Sequence, residues 1–141
     1  MRVYNFVLIV IFPLIFFRSI YKSLKFGENP KRIMEKFSIY GGKKSSKPII
    51  LIHAVSVGEV LASRKFVEEI KNRFPNHQIL ITCTTQTGSE TIKRLYGDSV
   101  LHQYMPFDLK FCIKRFLNNW KPEITFILET EIWPNLINLL H

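Results

Sequence analysis

Short apolar runs alternate with amphipathic stretches from Pro48 onward, and this alternation limits the possible folds more than any other feature of the sequence. Four runs rich in aliphatic and β-branched residues predict strands at residues 48–53, 78–82, 100–104 and 124–128. Apolar residues at helical spacing follow each run and predict helices at residues 60–74, 88–96, 109–120 and 135–140. The repeated strand–helix order predicts an α/β domain, in which a parallel sheet has right-handed crossovers and helices on both faces.

Chain length, composition and cysteine content exclude several classes of protein. With 141 residues, of which 47% are hydrophobic, the chain fits one domain with a real core, which excludes disordered and collagen-like proteins. Cys83 and Cys112 lie far apart with no disulfide or metal-binding spacing, so we expect reduced, buried thiols. In the first and third helices, the residues expected to face the core are Leu61, Phe66, Val67, Ile70 and Phe74, and Phe111, Cys112, Phe116 and Leu117.

The positive charge is concentrated before the first strand. Residues 18–47 contain nine cations and two acids, whereas the chain from Pro48 onward is nearly neutral. A basic body that binds nucleic acid is therefore not indicated, and we expect no nucleic-acid partner.

An uncharged stretch at residues 3–17 predicts a membrane anchor, which we assign to residues 1–21 as a single-pass or peripheral helix. The cations that follow it predict a cytoplasmic location for the rest of the chain. A cleaved signal peptide is disfavoured because no small-residue cleavage site follows. An amphipathic or buried helix remains an alternative, because the run is short and contains Pro13.

Residues 22–47 form a basic, membrane-proximal segment. Within it, Pro30 opens a short predicted helix with Ile33, Met34 and Phe37 on one side. Its other side carries cations, namely Lys31, Arg32 and Lys36. Such a face suits an anionic membrane surface. A solvated linker is an equally open interpretation.

Polar residues follow every predicted strand, and parallel sheets bind ligands at that edge. The four clusters are His53, Ser56 and Glu59; Thr82, Thr84, Thr85 and Thr87; Pro106 and Asp108; and Glu129 and Glu131. We therefore expect a ligand crevice built from these four loops.

Glu59 has two possible roles. Ser56 and Glu59 have the spacing of a capping box, in which Glu59 would accept a hydrogen bond from the Ser56 backbone. The same spacing recurs at Thr87 and Glu90, where no chemistry is indicated. Alternatively, Gly58 lets a ligand approach the helix start, and the Glu59 carboxylate removes a proton from a substrate hydroxyl.

The loop after the fourth strand contains a second acidic pair. If the strand continues, Glu129 and Glu131 face the same side and repel each other unless a cation or the hydroxyls of a substrate separate them. Their apolar neighbours argue against easy solvation. His53 and His102 are expected to be core histidines, and no ligand set for a metal is present.

At these motifs the sequence resembles a known family. His53-Ala-Val-Ser-Val-Gly-Glu59, Thr84-Thr-Gln-Thr-Gly-Ser-Glu90, Tyr104-Met-Pro-Phe-Asp108 and Glu129-Thr-Glu-Ile-Trp-Pro-Asn135 are similar, in order and spacing, to the N-terminal half of the 3-deoxy-D-manno-octulosonic acid (Kdo) transferases. The resemblance covers nearly all of the chain, including the anchor.

The resemblance implies an inverting glycosyltransferase of the GT-B type, which moves Kdo from CMP-Kdo to the lipid A precursor during lipopolysaccharide synthesis. It places the chain on the cytoplasmic side of the Gram-negative inner membrane, with no metal or cofactor. Glu59 matches the family's general base, and Glu129 matches a second important acid. The residues expected to bind substrate are Ser56, Gly58, Thr85, Thr87, Gly88, Glu131, Arg32 and Lys36, the last two toward the acceptor phosphates.

The sequence departs from the family's usual pattern at Met34, Ser38 and Gln86, so the resemblance does not predict the geometry of the acceptor loops. Residues 48–141 are expected to be an incomplete Rossmann-like acceptor domain, inactive without a C-terminal donor half, for which a separately encoded partner is one source. Two alternatives remain open. One is a non-catalytic, membrane-anchored remnant of a truncated gene, and the other, disfavoured because no GxGxxG follows the first strand, is a small nucleotide-binding module.

Overall fold

The computed structural model describes residues 2–25, 27, 30–40, 45–129 and 132–140, and the chain divides into two compact units. The sheet unit contains the described residues of 45–105 and 118–129. The helical unit contains the described residues up to 40, together with 106–117 and 132–140.

The sheet unit is built on four parallel strands in the order β3-β2-β1-β4. The strands are β1 (Ile49–His53), β2 (Gln78–Cys83), β3 (Leu101–Tyr104) and β4 (Pro122–Ile127). All five residues of β1 are buried, as expected for a central strand that is covered on both faces. The predicted α/β class and parallel sheet are confirmed, and each strand lies within two residues of its predicted bounds.

Three helices of this unit pack against one face of the sheet: α3 (Val57–Ala62), α4 (Arg64–Arg73) and α5 (Gln86–Tyr96). Alternate residues of the central strands point toward them, because side chains of a strand alternate between faces. The fully buried residues of this core include Ile50, Ile52, Val60, Val67, Ile79, Ile81 and Ile92.

The predicted single helix at residues 60–74 is wrong, because the structure has α3 and α4 separated at Ser63. The Ser63 hydroxyl donates to the carbonyl oxygen of Val60 at 2.8 Å, a local bond that competes with regular helix geometry. Leu61, predicted to face the core, is 48% exposed, and its neighbour Val60 takes the buried position.

The helical unit contains α1 (Arg2–Lys25), α2 (Pro30–Glu35), α7 (Pro134–Leu140) and most of α6 (Lys110–Trp120). Aromatic rings of α1 and of the segments after α2 and before α6 pack edge to face; the rings are Phe12, Phe16, Phe37 and Phe107. Phe111, predicted to face inward, is 55% exposed, because the buried face of α6 is formed by Cys112, Ile113 and Phe116.

The helix α1 includes a stretch, Arg2–Tyr21, that is long and apolar enough to cross a membrane by length and composition. An 18-residue window within it has a mean hydropathy of 2.1. The predicted N-terminal apolar helix is thus present and extends beyond residues 3–17.

Candidate active site

Glu59 lies in the first turn of α3, directly after the central strand β1, and both of its carboxylate oxygens are held within its own loop. Oε2 accepts a hydrogen bond from the backbone nitrogen of Val55 at 2.7 Å. Oε1 accepts from the hydroxyl of Ser56 at 2.9 Å, and the Glu59 backbone nitrogen donates to Ser56 Oγ at 3.3 Å. The predicted capping role is confirmed in a modified form, because the carboxylate returns to Val55 N–H rather than to Ser56 N–H.

This capping does not seal Glu59 from the solvent, because the residue is half-buried. A carboxylate oxygen has two lone pairs, and each oxygen of Glu59 uses one of them in the loop bonds described above. The arrangement therefore gives a carboxylate of fixed orientation that retains the capacity to accept a proton from an approaching hydroxyl.

Gly58 is exposed beside this carboxylate. A Cβ atom added to it would meet nothing nearer than Ser56 Oγ at 3.8 Å, an ordinary van der Waals distance. The packing of the chain on itself does not require glycine at this position. The approach of a ligand to Gly58 stays a prediction.

The loop after β2 contains three further predicted binding residues, which differ in their exposure to solvent. Thr85 and Thr87 are exposed, whereas Gly88 is buried. Thr85 Oγ1 accepts from the Gly88 nitrogen at 3.1 Å and thereby caps α5. A Cβ at Gly88 would lie 2.9 Å from that oxygen, so Gly88 has a packing role that the motif did not reveal.

The similar spacing at Thr87 and Glu90 is not a capping box. The cap of α5 is Thr85, two residues earlier, and Glu90 accepts instead from the side-chain nitrogen of Gln86 at 3.1 Å. Reciprocal hydrogen bonds therefore form between Ser56 and Glu59 but not between Thr87 and Glu90. The carboxylates of Glu59 and Glu90 thus have different hydrogen-bond partners.

Hydrogen bonds tie the loops after three neighbouring strands together. Leu128 N, after β4, donates to His53 O at 3.0 Å. Ala54 N, after β1, donates to Thr82 O at 2.9 Å, and Thr84 Oγ1 approaches Val55 O at 3.4 Å. The carboxyl ends of β4, β1 and β2 therefore form one continuous edge, with the loop of Glu59 in its centre.

Glu129 lies at this edge, but its backbone differs from the predicted continuation of the strand. The strand β4 ends at Ile127, and Glu129 has a φ of 63°, in the left-handed region that costs a non-glycine residue roughly 1 kcal/mol. Glu129 is exposed, which contradicts the expectation that apolar neighbours would keep it from water. Glu131 lies outside the described residues.

Arg32 and Lys36 belong to the helical unit, whereas Glu59 belongs to the sheet unit. Arg32 Nη2 forms a 3.1 Å ion pair with Glu35 Oε2, and the two side chains are 15% and 18% exposed. Arg32 is therefore neutralised by a neighbour on its own helix rather than presented on an open basic face.

Of the two strand histidines, His53 is a core residue as predicted, whereas His102 is half-buried with both ring nitrogens in contact with polar partners. His53 is fully buried, its Nδ1 lies 2.9 Å from Thr82 Oγ1, and burial lowers its pKa to about 4. His102 contacts Ile81 O at 2.9 Å and Ser89 Oγ at 2.8 Å. Across the part of the chain that the structure describes, no group of three or more potential metal ligands occurs.

One structural role was missed from the sequence, that of Asp108. Its carboxylate accepts from the backbone nitrogens of Asn135 and Leu136 at 3.0 Å each and from the Tyr4 hydroxyl at 2.8 Å. It thus binds the start of α7 from 27 residues away in the chain. No local motif predicts such a bond, because N-terminal capping is ordinarily done by an adjacent residue.

The family model of the 3-deoxy-D-manno-octulosonic-acid transferases (kdotransferases) matches residues 31–141. The chain belongs to this family. The predicted resemblance is thereby confirmed over the sheet unit and over the part of the helical unit from residue 31 onward.

Several curated transferases are similar to this Kdo transferase family member over nearly its whole length. It is 41% identical to the 3-deoxy-D-manno-octulosonic acid transferase of Haemophilus influenzae, over 97% of the chain and 32% of that protein. Identity is 35% with the transferase of Rickettsia bellii, over 98% of the chain and 33% of the relative. It is also 35% with a probable mitochondrial transferase of Arabidopsis thaliana, over 96% and 30% respectively. The chain spans about a third of the length of these relatives.

Proposed function

We propose that this chain is the acceptor-side part of a glycosyltransferase that moves Kdo in lipopolysaccharide synthesis. Family membership supports Kdo transfer as the reaction. The proposed donor is CMP-Kdo, the proposed acceptor is the lipid A precursor, and the proposed place is the cytoplasmic face of the cell inner membrane. No metal, cofactor or nucleic acid takes part in the proposed reaction.

The observation that carries the proposal is the fixed, half-buried carboxylate of Glu59 at the carboxyl edge of the central strand. In the proposed step, Glu59 takes the proton from an acceptor hydroxyl while that oxygen attacks the anomeric carbon of Kdo. The bond from this carbon to the CMP phosphate oxygen breaks on the opposite face, and CMP leaves with the electron pair. The configuration is thereby inverted, and the proton remains on Glu59 until it passes to the solvent.

The other residues support binding in this proposal. Ser56 and Gly58 shape the approach to the base, and Thr85 and Thr87 offer exposed hydroxyls from the neighbouring loop. Gly88 acts through the packing of that loop.

The proposal gives the remaining acids and cations roles toward the acceptor. Glu129, exposed at the same sheet edge, orients the acceptor together with Glu131. Arg32 and Lys36 bind the acceptor phosphates, and Arg32 does so by exchanging its bond to Glu35 for one to phosphate.

The donor nucleotide is proposed to bind to a second domain, because GT-B transferases hold their donors largely outside the acceptor domain. The 141 residues correspond to about a third of the relatives. A polypeptide of these residues alone is therefore expected to transfer no Kdo. We propose that the donor domain belongs to the same protein or to a separately encoded partner.

Co-expression with the C-terminal two thirds of the Haemophilus influenzae relative tests the proposal. The assay follows transfer of labelled Kdo from CMP-Kdo to the lipid A precursor by the purified pair. We expect transfer with the pair and none with either part. Glu59→Gln should reduce the rate by about 10²- to 10⁴-fold, the range for loss of a general base.

Glu90→Gln is the matched control, because Glu90 has the same Ser/Thr spacing but lacks the reciprocal loop bonds. It should keep the parent rate within about twofold. A Glu59→Gln pair as active as the parent would overturn the assignment of the base. A folded, stably associated pair with no transfer would instead favour the non-catalytic remnant.

A further inference from the structure

The helix α1 exposes a mainly apolar face between Val3 and Tyr21. Nine large apolar side chains of α1 are exposed: Val3, Phe6, Val7, Ile9, Val10, Ile11, Leu14, Phe17 and Tyr21. All of them except Ile9 and Ile11 recur every three or four positions and so lie along one side of the helix. A helix in contact with water on one side ordinarily carries polar residues there. An apolar face of this size marks an interaction surface.

The opposite face of α1 is docked on the helical unit. The Tyr4 hydroxyl donates to Asp108 at 2.8 Å, and the Asn5 side chain accepts from the Asn135 side chain at 2.7 Å. Further along, the Phe12 ring packs edge to face on Phe107 with 5.4 Å between ring centres.

These contacts are incompatible with a crossing of the bilayer by α1 alone. The helix is docked from Tyr4 to Phe16, about 18 Å of its axis at 1.5 Å per residue. If this length stood upright in the hydrocarbon, Asp108 and the irregular backbone at residues 106–108 would enter it as well. Charged groups and non-helical backbone are strongly disfavoured there.

We propose that α1 lies parallel to the membrane surface, with its exposed face among the acyl chains and its docked face on the helical unit. Arg2, Arg18 and Lys25 are exposed on this helix, which contains no acidic residue, so its charge is complementary to anionic headgroups. The partner is therefore an anionic lipid bilayer. The inference rests on the membrane location in the proposed function and specifies its geometry.

The depth of three positions on one face of α1 tests this arrangement. Val3, Val10 and Phe17 are 77%, 61% and 68% exposed and lie seven residues apart, about two helical turns each. The variants Val3→Cys, Val10→Cys and Phe17→Cys are each labelled with a fluorophore and bound to vesicles of brominated phosphatidylcholine and phosphatidylglycerol. Cys83 and Cys112 are fully buried and stay unlabelled in the folded chain.

A helix parallel to the surface gives the same quenching at all three positions, strongest with bromine near the headgroups. A crossing helix would place the three labels about 10 Å apart in depth, since seven residues rise about that much. Strong quenching of the position 10 label by deep bromine, with shallow quenching at positions 3 and 17, would overturn the proposal. Absence of quenching at all three positions would overturn it equally.

Charge variants give a second, independent measurement. Val10→Glu should weaken binding to vesicles with phosphatidylglycerol by about tenfold or more, because it places a carboxylate in the acyl region. Leu61→Glu is the matched control, because Leu61 is a 48% exposed apolar residue of the sheet unit, and it should bind as the parent does. If Val10→Glu instead dissociates a dimer and leaves vesicle binding unchanged, a second copy covers the face and the proposal is wrong.

Neither measurement involves CMP-Kdo or an acceptor. A crossing helix would leave Kdo transfer by the paired parts intact. A failure of that transfer would leave the depth of α1 unchanged, so the two proposals fail separately.

Discussion

The carboxylate of Glu59 accepts a hydrogen bond from the backbone nitrogen of Val55 at 2.7 Å, across the turn that joins β1 to α3. The candidate base is therefore part of the structure that starts its own helix. Its position is fixed before any substrate binds, which lowers the entropic cost of reaching a productive geometry. The same coupling means that truncation of Glu59 would disturb the loop, so an isosteric change to glutamine is the appropriate probe.

Ser56→Ala should lower the free energy of unfolding by about 1 kcal/mol, the usual cost of losing an N-terminal cap. The hydroxyl both accepts from Glu59 N and donates to Glu59 Oε1, and alanine removes both bonds. Urea denaturation measures the change. Thr87→Ala, at an exposed residue outside the cap of α5, should stay within about 0.5 kcal/mol of the parent. Equal effects of the two variants would contradict the capping assignment.

Gly88→Ala and Gly58→Ala should separate packing from ligand binding. The added methyl at Gly88 meets Thr85 Oγ1 at 2.9 Å, so we expect a destabilisation of about 1–3 kcal/mol. At Gly58 the methyl has space, and replacement of a helical glycine should leave stability unchanged or raise it by up to about 1 kcal/mol. Thermal denaturation of both variants checks this. A strong loss of stability in Gly58→Ala would show a packing role for that glycine as well.

The stability of the chain should fall as the pH decreases from about 6.5 to about 4. Burial lowers the pKa of His53 to about 4, while its bond to Thr82 and the charge of Glu59 partly oppose this. The unfolded state, with a histidine pKa of about 6.5, binds the proton first, so protonation favours unfolding across this window. The full contribution is present above pH 6.5, and the loss reaches about 3 kcal/mol at pH 4.

Urea unfolding at several pH values measures the loss of stability, and His53→Gln isolates the contribution of the histidine. The variant is compared by its slope against pH rather than by its absolute stability, because glutamine alters the core. A slope between pH 6.5 and 4 as steep as that of the parent would assign the effect to other groups.

Asp108→Asn should cost about 1–3 kcal/mol of unfolding free energy. The two Asp108 oxygens accept from Asn135 N and Leu136 N, whereas asparagine has one acceptor oxygen and leaves a buried donor unpaired. Tyr4→Phe removes a single bond to the same carboxylate and should cost about 1 kcal/mol. Chemical denaturation of the two variants measures their losses of unfolding free energy. A larger loss in Tyr4→Phe than in Asp108→Asn would contradict this prediction.

The sheet could be predicted because each strand carries its own signal. Isolated runs of Ile, Leu and Val with intervening helices leave few arrangements other than a parallel sheet, and the structure has this arrangement. The position of Glu59 at its carboxyl edge followed from the same pattern. The bonds between Ser56 and Glu59 could be predicted, because they depend only on the local spacing of the two residues. The bond from Val55 N–H to Glu59 could not, because it depends on the angle of the turn.

Features that depend on side chains or on distant contacts could not be predicted. The break at Ser63 arises from its hydroxyl bond to Val60 O, and serine also occurs within continuous helices. Phe111 faces outward because the buried stripe of α6 falls one position later, at Cys112 and Ile113. Glu129 has a left-handed backbone beyond the end of β4, so the period of two from which its side was predicted does not extend to it.

The position of β4 in the sheet has a practical consequence. Among the described strands β4 has a single hydrogen-bonded neighbour, β1, so it lies at one edge of the described sheet. An exposed edge strand is a template for pairing with another extended chain. A polypeptide that leaves this edge open is expected to associate as its concentration rises, for a reason of geometry rather than of a weak core.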